Sequence, residues 1–124
     1  QELYMRGENL LGDKTIKIDN ESYFVYQSSR KVYKERVADI IILQEVAEEL
    51  LCITRVWRIE LYCSLVEIYR VLITEGFHYI NQSVLINISY ITNIKKNLAK
   101  VGNGKYIEIA ETEGHLLLIN SVKL

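Results

Sequence analysis

The sequence lacks the features that mark several common classes of protein. It contains no proline, and its only cysteines, Cys52 and Cys63, do not form the C-x-x-C spacing of metal sites. Its longest apolar runs, such as Ile40 to Leu43, are far too short to cross a bilayer. The chain start has no basic segment followed by an apolar one, so no secretory signal is expected. We therefore expect two buried free thiols in a cytoplasmic protein that contacts no membrane.

Recognisable catalytic and metal-binding patterns are also missing. His78 and His115 have no nucleophile or ligand cluster near them in the chain. The carboxylates of Glu45, Glu48 and Glu49 are clustered, but no neighbouring residue would tune them for acid–base work, so a solvated loop is the simpler interpretation. We expect no enzyme activity, no metal and no other cofactor.

The charge is distributed unevenly along a chain that is nearly neutral as a whole. Its 124 residues carry a net charge of −1 and are 49% hydrophobic, which is typical of a single folded domain. From Gly76 to Ile107 there is no acidic residue, whereas four lysines fall there: Lys95, Lys96, Lys100 and Lys105. Such segregation predicts a basic face on a neutral protein. The alternative is that solvated strands simply carry lysines.

Hydrophobic periodicity predicts a mainly β domain. Short segments alternate polar and apolar residues, beginning with Thr15 to Ile18, and turn signals separate them. The run from Ala38 to Leu43 is apolar apart from Asp39, as expected of a central strand covered on both faces. Residues Ile91 to Val101 are expected to form one strand that carries Lys95, Lys96 and Lys100.

One segment changes to the helical period. From Ser64 to Thr74 the apolar residues follow a spacing of about 3.6. Ser64 and Glu67 match a capping box, and Gly76 provides a left-handed stop. The sequence therefore predicts one short capped α-helix, with an apolar stripe that covers a sheet. A second, short helical turn is expected near Ile88 to Ile91.

The stretch from Phe77 to Ile91 places a polar tripeptide between two apolar segments. Phe77 and Ile80 precede Asn81, Gln82 and Ser83, and a β-branched-rich run suited to a buried strand follows. Amide and hydroxyl groups held between two anchored segments are suited to recognition, although a plain polar turn would have the same sequence.

This stretch resembles the signature of the LytTR DNA-binding domain of bacterial transcription regulators, Phe-x-Arg-Ile-His-Arg-Ser-Tyr-Ile-Val-Asn-x-x-x-Ile. The family's usual His is Asn81 here, and its usual Arg or Lys is Gln82. The resemblance extends from Lys14 to Lys123, so residues 1–13 are expected to be a linker or arm and residues 14–124 a LytTR-like DNA-binding domain. The matching positions are Phe77, Ile80, Ser83, Leu85, Ile86, Asn87 and Ile91.

The resemblance implies a sequence-specific output domain of a response regulator that reads double-stranded DNA through loops at one end of its sheet. Direct repeats upstream of promoters are the implied sites, and a homodimer on DNA is an open alternative to a monomer. The implied loops are Gln44 to Glu49, Asn81 to Ser83 and Asn120 to Lys123. A LytTR-fold protein-interaction module with weak or lost DNA binding is the second hypothesis. Together with the charge pattern, the resemblance gives these candidate DNA-binding residues: Glu48, Asn81, Gln82, Ser83, Lys95, Lys96, Ser121 and Lys123.

Overall fold

The computed structural model describes residues 14–102 and 104–110. This part of the chain forms eleven strands, one α-helix and three short 3-10 helices. It divides into two compact units, of which one ends at Asp39 and the other begins at Ile40.

The first unit contains a three-stranded antiparallel sheet. The strands are β1 (Thr15–Ile18), β2 (Tyr23–Gln27) and β3 (Val32–Arg36), with β2 in the centre. The unit ends in a 3-10 helix, Val37–Asp39, so the prediction that the next strand already begins at Ala38 is wrong. The buried Val37 donates its N–H to the Ser22 carbonyl oxygen at 3.0 Å, which turns the chain out of β3 before the apolar run begins.

The second unit contains a five-stranded antiparallel sheet with β4 in the centre. All residues from Ile40 to Leu43 are buried, which confirms the predicted central strand covered on both faces. The strand order is β6-β5-β4-β8-β7, formed by β4 (Ile40–Val46), β5 (Glu49–Thr54), β6 (Arg58–Leu61), β7 (Phe77–Asn81) and β8 (Val84–Asn87).

The predicted capped helix is confirmed. The α-helix α1 spans Leu65–Leu72 and continues into a 3-10 helix, Ile73–Glu75. The Ser64 side chain accepts from the Glu67 N–H at 3.2 Å, and Glu67 Oε2 accepts from the Ser64 N–H at 3.0 Å. Gly76 ends the segment at a φ of +87°, in the left-handed region that glycine adopts without strain. The buried stripe of α1 lies against β4 and β7, so the helix covers the sheet as expected.

A second three-stranded sheet follows a 3-10 helix at Ile88–Tyr90, which confirms the expected helical turn. Its order is β11-β10-β9, formed by β9 (Ile91–Lys95), β10 (Leu98–Val101) and β11 (Tyr106–Glu108).

The single strand predicted from Ile91 to Val101 is wrong, because the chain reverses at Lys96 and Asn97. Lys96 adopts a φ of +57° there. The reversal places Ile94 opposite the fully buried Ala99, and both join the core, which one straight strand would not allow.

The core of the second unit lies between the five-stranded sheet and the β9–β11 sheet. Side chains of both sheets, and of the segments beside them, form one buried apolar cluster, so each sheet closes one face of the other. No helix in the described ranges is long and apolar enough to span a membrane. The buried members are Ile41, Ile42, Ile80, Val84, Ile86, Ile88, Ala99, Val101 and Ile109.

Candidate nucleic-acid interface

Two short turns lie at the same end of the five-stranded sheet. One consists of Gln82 and Ser83 and joins β7 to β8; the other consists of Ala47 and Glu48 and joins β4 to β5. Val84 pairs with Gln44 of β4, two residues before that strand ends. The Glu45 N–H also donates to the Ser83 carbonyl oxygen at 2.9 Å. We call the first the amide turn and the second the acidic turn.

The amide turn is held in place by Asn81. The Asn81 side chain donates through Nδ2 to the Glu108 carbonyl oxygen at 2.8 Å and accepts at Oδ1 from the Ser83 N–H at 2.9 Å. Ile80 and Val84, on either side, are buried in the core. Asn81 therefore shapes the turn and joins it to β11, so part of its hydrogen-bonding capacity is already used within the domain.

Gln82 differs from Asn81 in this respect. Its side chain is exposed, and it has no hydrogen-bonding partner among the residues that the structure describes. Both its amide donor and its amide acceptor are therefore available to a ligand. Ser83 is exposed beside it.

The acidic turn is shorter than the loop expected from Gln44 to Glu49. Only Ala47 and Glu48 lie outside the strands, because Glu45 pairs with Leu50 and Val46 pairs with Glu49 in the β4–β5 ladder. Glu48 is exposed at this turn, and Ala47 has a φ of +58°.

Glu45 has a structural role that its sequence position does not reveal. Its Oε2 accepts from the Leu65 N–H at 3.3 Å, where α1 begins. A carboxylate at a helix N-terminus satisfies one unpaired N–H and interacts favourably with the helix dipole. The carboxylate cluster of Glu45, Glu48 and Glu49 is therefore divided: Glu45 stabilises the fold, while Glu48 faces solvent.

A third turn, made of Lys96 and Asn97, lies beside the amide turn. The Ile109 N–H donates to the Asn97 carbonyl oxygen at 2.8 Å, and the Ala110 N–H donates to the Ile80 carbonyl oxygen at 2.9 Å. The segment at residues 108–110 thus has the amide turn on one side and this lysine turn on the other. Lys95 and Lys96 are exposed there, without an ionic partner in the described part of the chain.

An open cleft of about 340 Å³ borders the amide turn. It is lined by Gln44 and Ser83 and, from the β11 side, by Lys105 and Tyr106. Sequence reasoning placed Lys105 in the basic region but gave no sign that it or Tyr106 lies next to the turn. The hydrogen bonds from Asn81 to the Glu108 carbonyl oxygen and from Ala110 to the Ile80 carbonyl oxygen bring these segments together.

His78 and Tyr79, which precede the amide turn on β7, are both uncharged at neutral pH. Burial lowers the pKa of the His78 imidazole, so it is neutral at neutral pH. Burial, then the Glu45 carboxylate and Tyr69, raise the pKa of the Tyr79 hydroxyl, so it too stays neutral. The Tyr79 ring packs on the Tyr69 ring of α1 at a centroid distance of 4.7 Å. Positive charge near the turn therefore comes from lysines.

Several predicted features lie outside the described residues: the arm at residues 1–13, the implied loop from Asn120 to Lys123, and the candidates Ser121 and Lys123 in it. Within the described ranges no group of His, Cys, Asp and Glu side chains is arranged to hold a metal ion.

Over the described residues the architecture is mainly β with one short α-helix, and two hairpin turns lie at one end of the five-stranded sheet. The family model of the LytTr DNA-binding domain matches residues 30–117, and the chain belongs to this family, which is a DNA-binding and not an enzymatic one. No curated protein matches the sequence.

A solved structure supports the fold. It is a LytTr DNA-binding domain from a Bacillus cereus protein described as a methyl-accepting/DNA response regulator. The two chains share 15% sequence identity with a TM-score of 0.67, over 78% of this chain and 96% of that chain. At this identity the similarity concerns the fold, which agrees with the expected LytTR-like β domain.

Proposed function

We propose that this domain binds double-stranded DNA sequence-specifically, as the output domain of a bacterial transcription regulator of the response-regulator type. Direct repeats near promoters are the proposed sites, occupied by two copies of the chain. Family membership supports DNA as the ligand. The arrangement of the amide turn supports its role in recognition.

The observation that carries the proposal is the contrast between Asn81 and Gln82. Asn81 fixes the turn through two hydrogen bonds, while the adjacent Gln82 has an exposed and unused amide. A glutamine amide presents a donor and an acceptor side by side, the pair that matches N7 and N6 of adenine in the major groove. The hydrogen bonds of the turn fix the backbone that carries this amide, so the conformational entropy lost on binding is mainly that of the Gln82 side chain.

The neighbouring residues take supporting roles in the proposal. The Ser83 hydroxyl, and the ammonium groups of Lys95 and Lys96 on the lysine turn, contact phosphates and fix the register without reading sequence. Glu48 accepts from a cytosine amino group, the one base contact that suits a carboxylate. Ser121 and Lys123, which lie outside the described residues, are two further proposed contacts.

The test is the Gln82→Ala variant, measured on a preferred duplex selected from a random pool and on random DNA. We expect binding to the preferred duplex to weaken by about 1–3 kcal/mol and binding to random DNA to change much less. Gln27→Ala is the matched control, because it removes an exposed amide from strand β2. The control should leave the preference between the two duplexes unchanged.

Equal losses on both duplexes for Gln82→Ala would mean that Gln82 only positions the protein. No loss on either would remove the amide turn from the interface. A chain that binds neither duplex at low salt would instead favour the interaction module, for which the exposed Glu48 beside the amide turn is the supporting observation.

A further inference from the structure

The outer face of the β1–β3 sheet carries a group of cations around one aromatic ring. Strand register places Lys17, Val25 and Lys34 in one row across the sheet, and Tyr23 opposite Arg36 in the next. The buried residues Phe24 and Tyr26 alternate with these along β2 and therefore face the other way. We call the surface formed by Lys17, Tyr23, Lys34 and Arg36 the basic face.

The cations of the basic face are ordered around Tyr23. The Lys34 Nζ lies 4.8 Å from the centre of the Tyr23 ring, and the Arg36 guanidinium carbon lies 5.2 Å from it. The Arg36 Nη2 also donates to the Tyr23 hydroxyl at 3.1 Å. The Tyr23 ring attracts both the Lys34 ammonium and the Arg36 guanidinium. This attraction offsets part of the repulsion between two like charges on one face of a sheet.

Only one of these cations has a carboxylate partner. Asp19 Oδ2 lies 3.5 Å from Lys34 Nζ. Asp19 Oδ1 accepts from the N–H groups of Tyr23 and Glu21 at 2.9 Å each, so this carboxylate also holds the β1–β2 turn. Lys17 and Arg36 are exposed and have no acidic partner in residues 14–102 and 104–110. The basic face therefore has an excess of positive charge.

The spacing of the cations suits an extended polyanion better than a single ion. Residues two apart on a strand are separated by about 7 Å, and the outer strands of three by about 10 Å. One phosphate group cannot bridge such distances, whereas a nucleic-acid backbone carries charges at regular intervals. Arginine is also the side chain that pairs with phosphate through two parallel hydrogen bonds.

We propose that the basic face is a second DNA-contacting surface, which binds the phosphate backbone without reading sequence. This inference rests on the proposed function, because it takes DNA as the partner. With its side chains, a three-stranded sheet exceeds the ~12 Å width of the major groove, so the face contacts phosphates and not base edges. It supplies affinity, while the amide turn supplies specificity.

The test is the Lys17→Gln/Arg36→Gln double variant of the full chain, which leaves the Asp19–Lys34 pair in place. Fluorescence anisotropy measures its binding to random and preferred duplexes over a range of salt concentrations. We expect a similar loss on both duplexes, and a log–log salt slope shallower by about 2, roughly one for each phosphate contact removed. Lys17→Arg/Arg36→Lys keeps the charge and should retain most of the slope.

The matched control is Arg58→Gln/Arg70→Gln, which removes the same charge from β6 and from α1. It should leave the slope nearly unchanged, and thermal unfolding verifies that both double variants fold. Equal slopes for the test and control variants would overturn the inference and leave the proposed function intact. A loss of binding confined to the preferred duplex would also overturn it. The same holds if the Lys17→Gln/Arg36→Gln variant binds polyglutamate more weakly but DNA equally well, because that result would indicate an acidic protein partner. If the unaltered chain binds no DNA at low salt, both proposals fail.

Discussion

The amide turn and the acidic turn end neighbouring hairpins of the same sheet, yet they are built differently. The amide turn is held by two bonds from Asn81 and by the backbone bond from Glu45 to Ser83. The acidic turn closes with Ala47 in the left-handed region, where a side chain costs about 1–2 kcal/mol, and it carries the exposed Glu48. One turn is rigid and uncharged, and the other is strained and negative.

The difference shows how a nearly neutral domain can approach DNA. A turn that is held by hydrogen bonds sets the position of Gln82, so the entropy lost when its amide pairs with a base is mainly that of the side chain. A carboxylate at the same sheet end repels phosphates, so it lowers the affinity for any DNA unless it accepts from a base. The lysine turn, on the other side of residues 108–110, offsets part of that repulsion.

The largest expected effect comes from releasing the amide turn. Asn81→Ala removes two hydrogen bonds, each contributing about 0.5–1.5 kcal/mol, so the free energy of unfolding should fall by about 1–3 kcal/mol. Binding to the preferred duplex should weaken as well, because the backbone of the turn that carries Gln82 is no longer held in place. Urea unfolding and anisotropy measure the two effects.

Gln82→Ala is the matched control for stability, since its side chain has no bond within the described residues and should change the unfolding free energy by less than about 0.5 kcal/mol. If Asn81→Ala loses binding without any loss of stability, Asn81 contacts DNA directly, and the contrast between Asn81 and Gln82 breaks down.

A smaller effect of opposite sign is expected at the acidic turn. Ala47→Gly relieves the left-handed conformation at the cost of a more flexible unfolded chain, for a net stabilisation of up to about 1 kcal/mol. Ala38→Gly is the control, because Ala38 lies in a 3-10 helix and outside the left-handed region. Glycine at this position should lower the free energy of unfolding by roughly 0.5–1 kcal/mol. The midpoints of urea unfolding compare the two. Destabilisation by Ala47→Gly would show that the turn is not strained.

The smallest effect concerns charge. Glu48→Gln should strengthen binding to random DNA by about 0.2–1 kcal/mol, because a repulsive surface charge is removed. Glu75→Gln removes the same charge next to the start of β7, at the opposite end of the five-stranded sheet, and should change binding less. Anisotropy at low salt measures both. Weaker binding of Glu48→Gln to the preferred duplex alone would support a cytosine contact by Glu48.

Local patterns predicted the elements whose signals lie within a few residues. The capping box of Ser64 and Glu67 and the stop at Gly76 are present as expected, because capping depends only on neighbouring backbone groups. The buried run of β4 was equally visible. The reversal at Lys96 was missed, because no glycine marks it and the residue adopts a left-handed conformation that lysine rarely takes.

The sequence by itself determined the mainly β composition, the one capped helix, the family signature around Asn81 and the acid-free region with its lysines, since all are properties of neighbouring residues. Only the tertiary structure decided which polar groups are used within the fold. Asn81 bonds to Glu108, which is 27 residues away, and Glu45 caps a helix that begins 20 residues later. Strand register sets such contacts, and register depends on how the apolar faces of whole strands pack together. For that reason two adjacent amides that look equivalent in the sequence differ in the structure: Asn81 holds the turn, and Gln82 is left exposed.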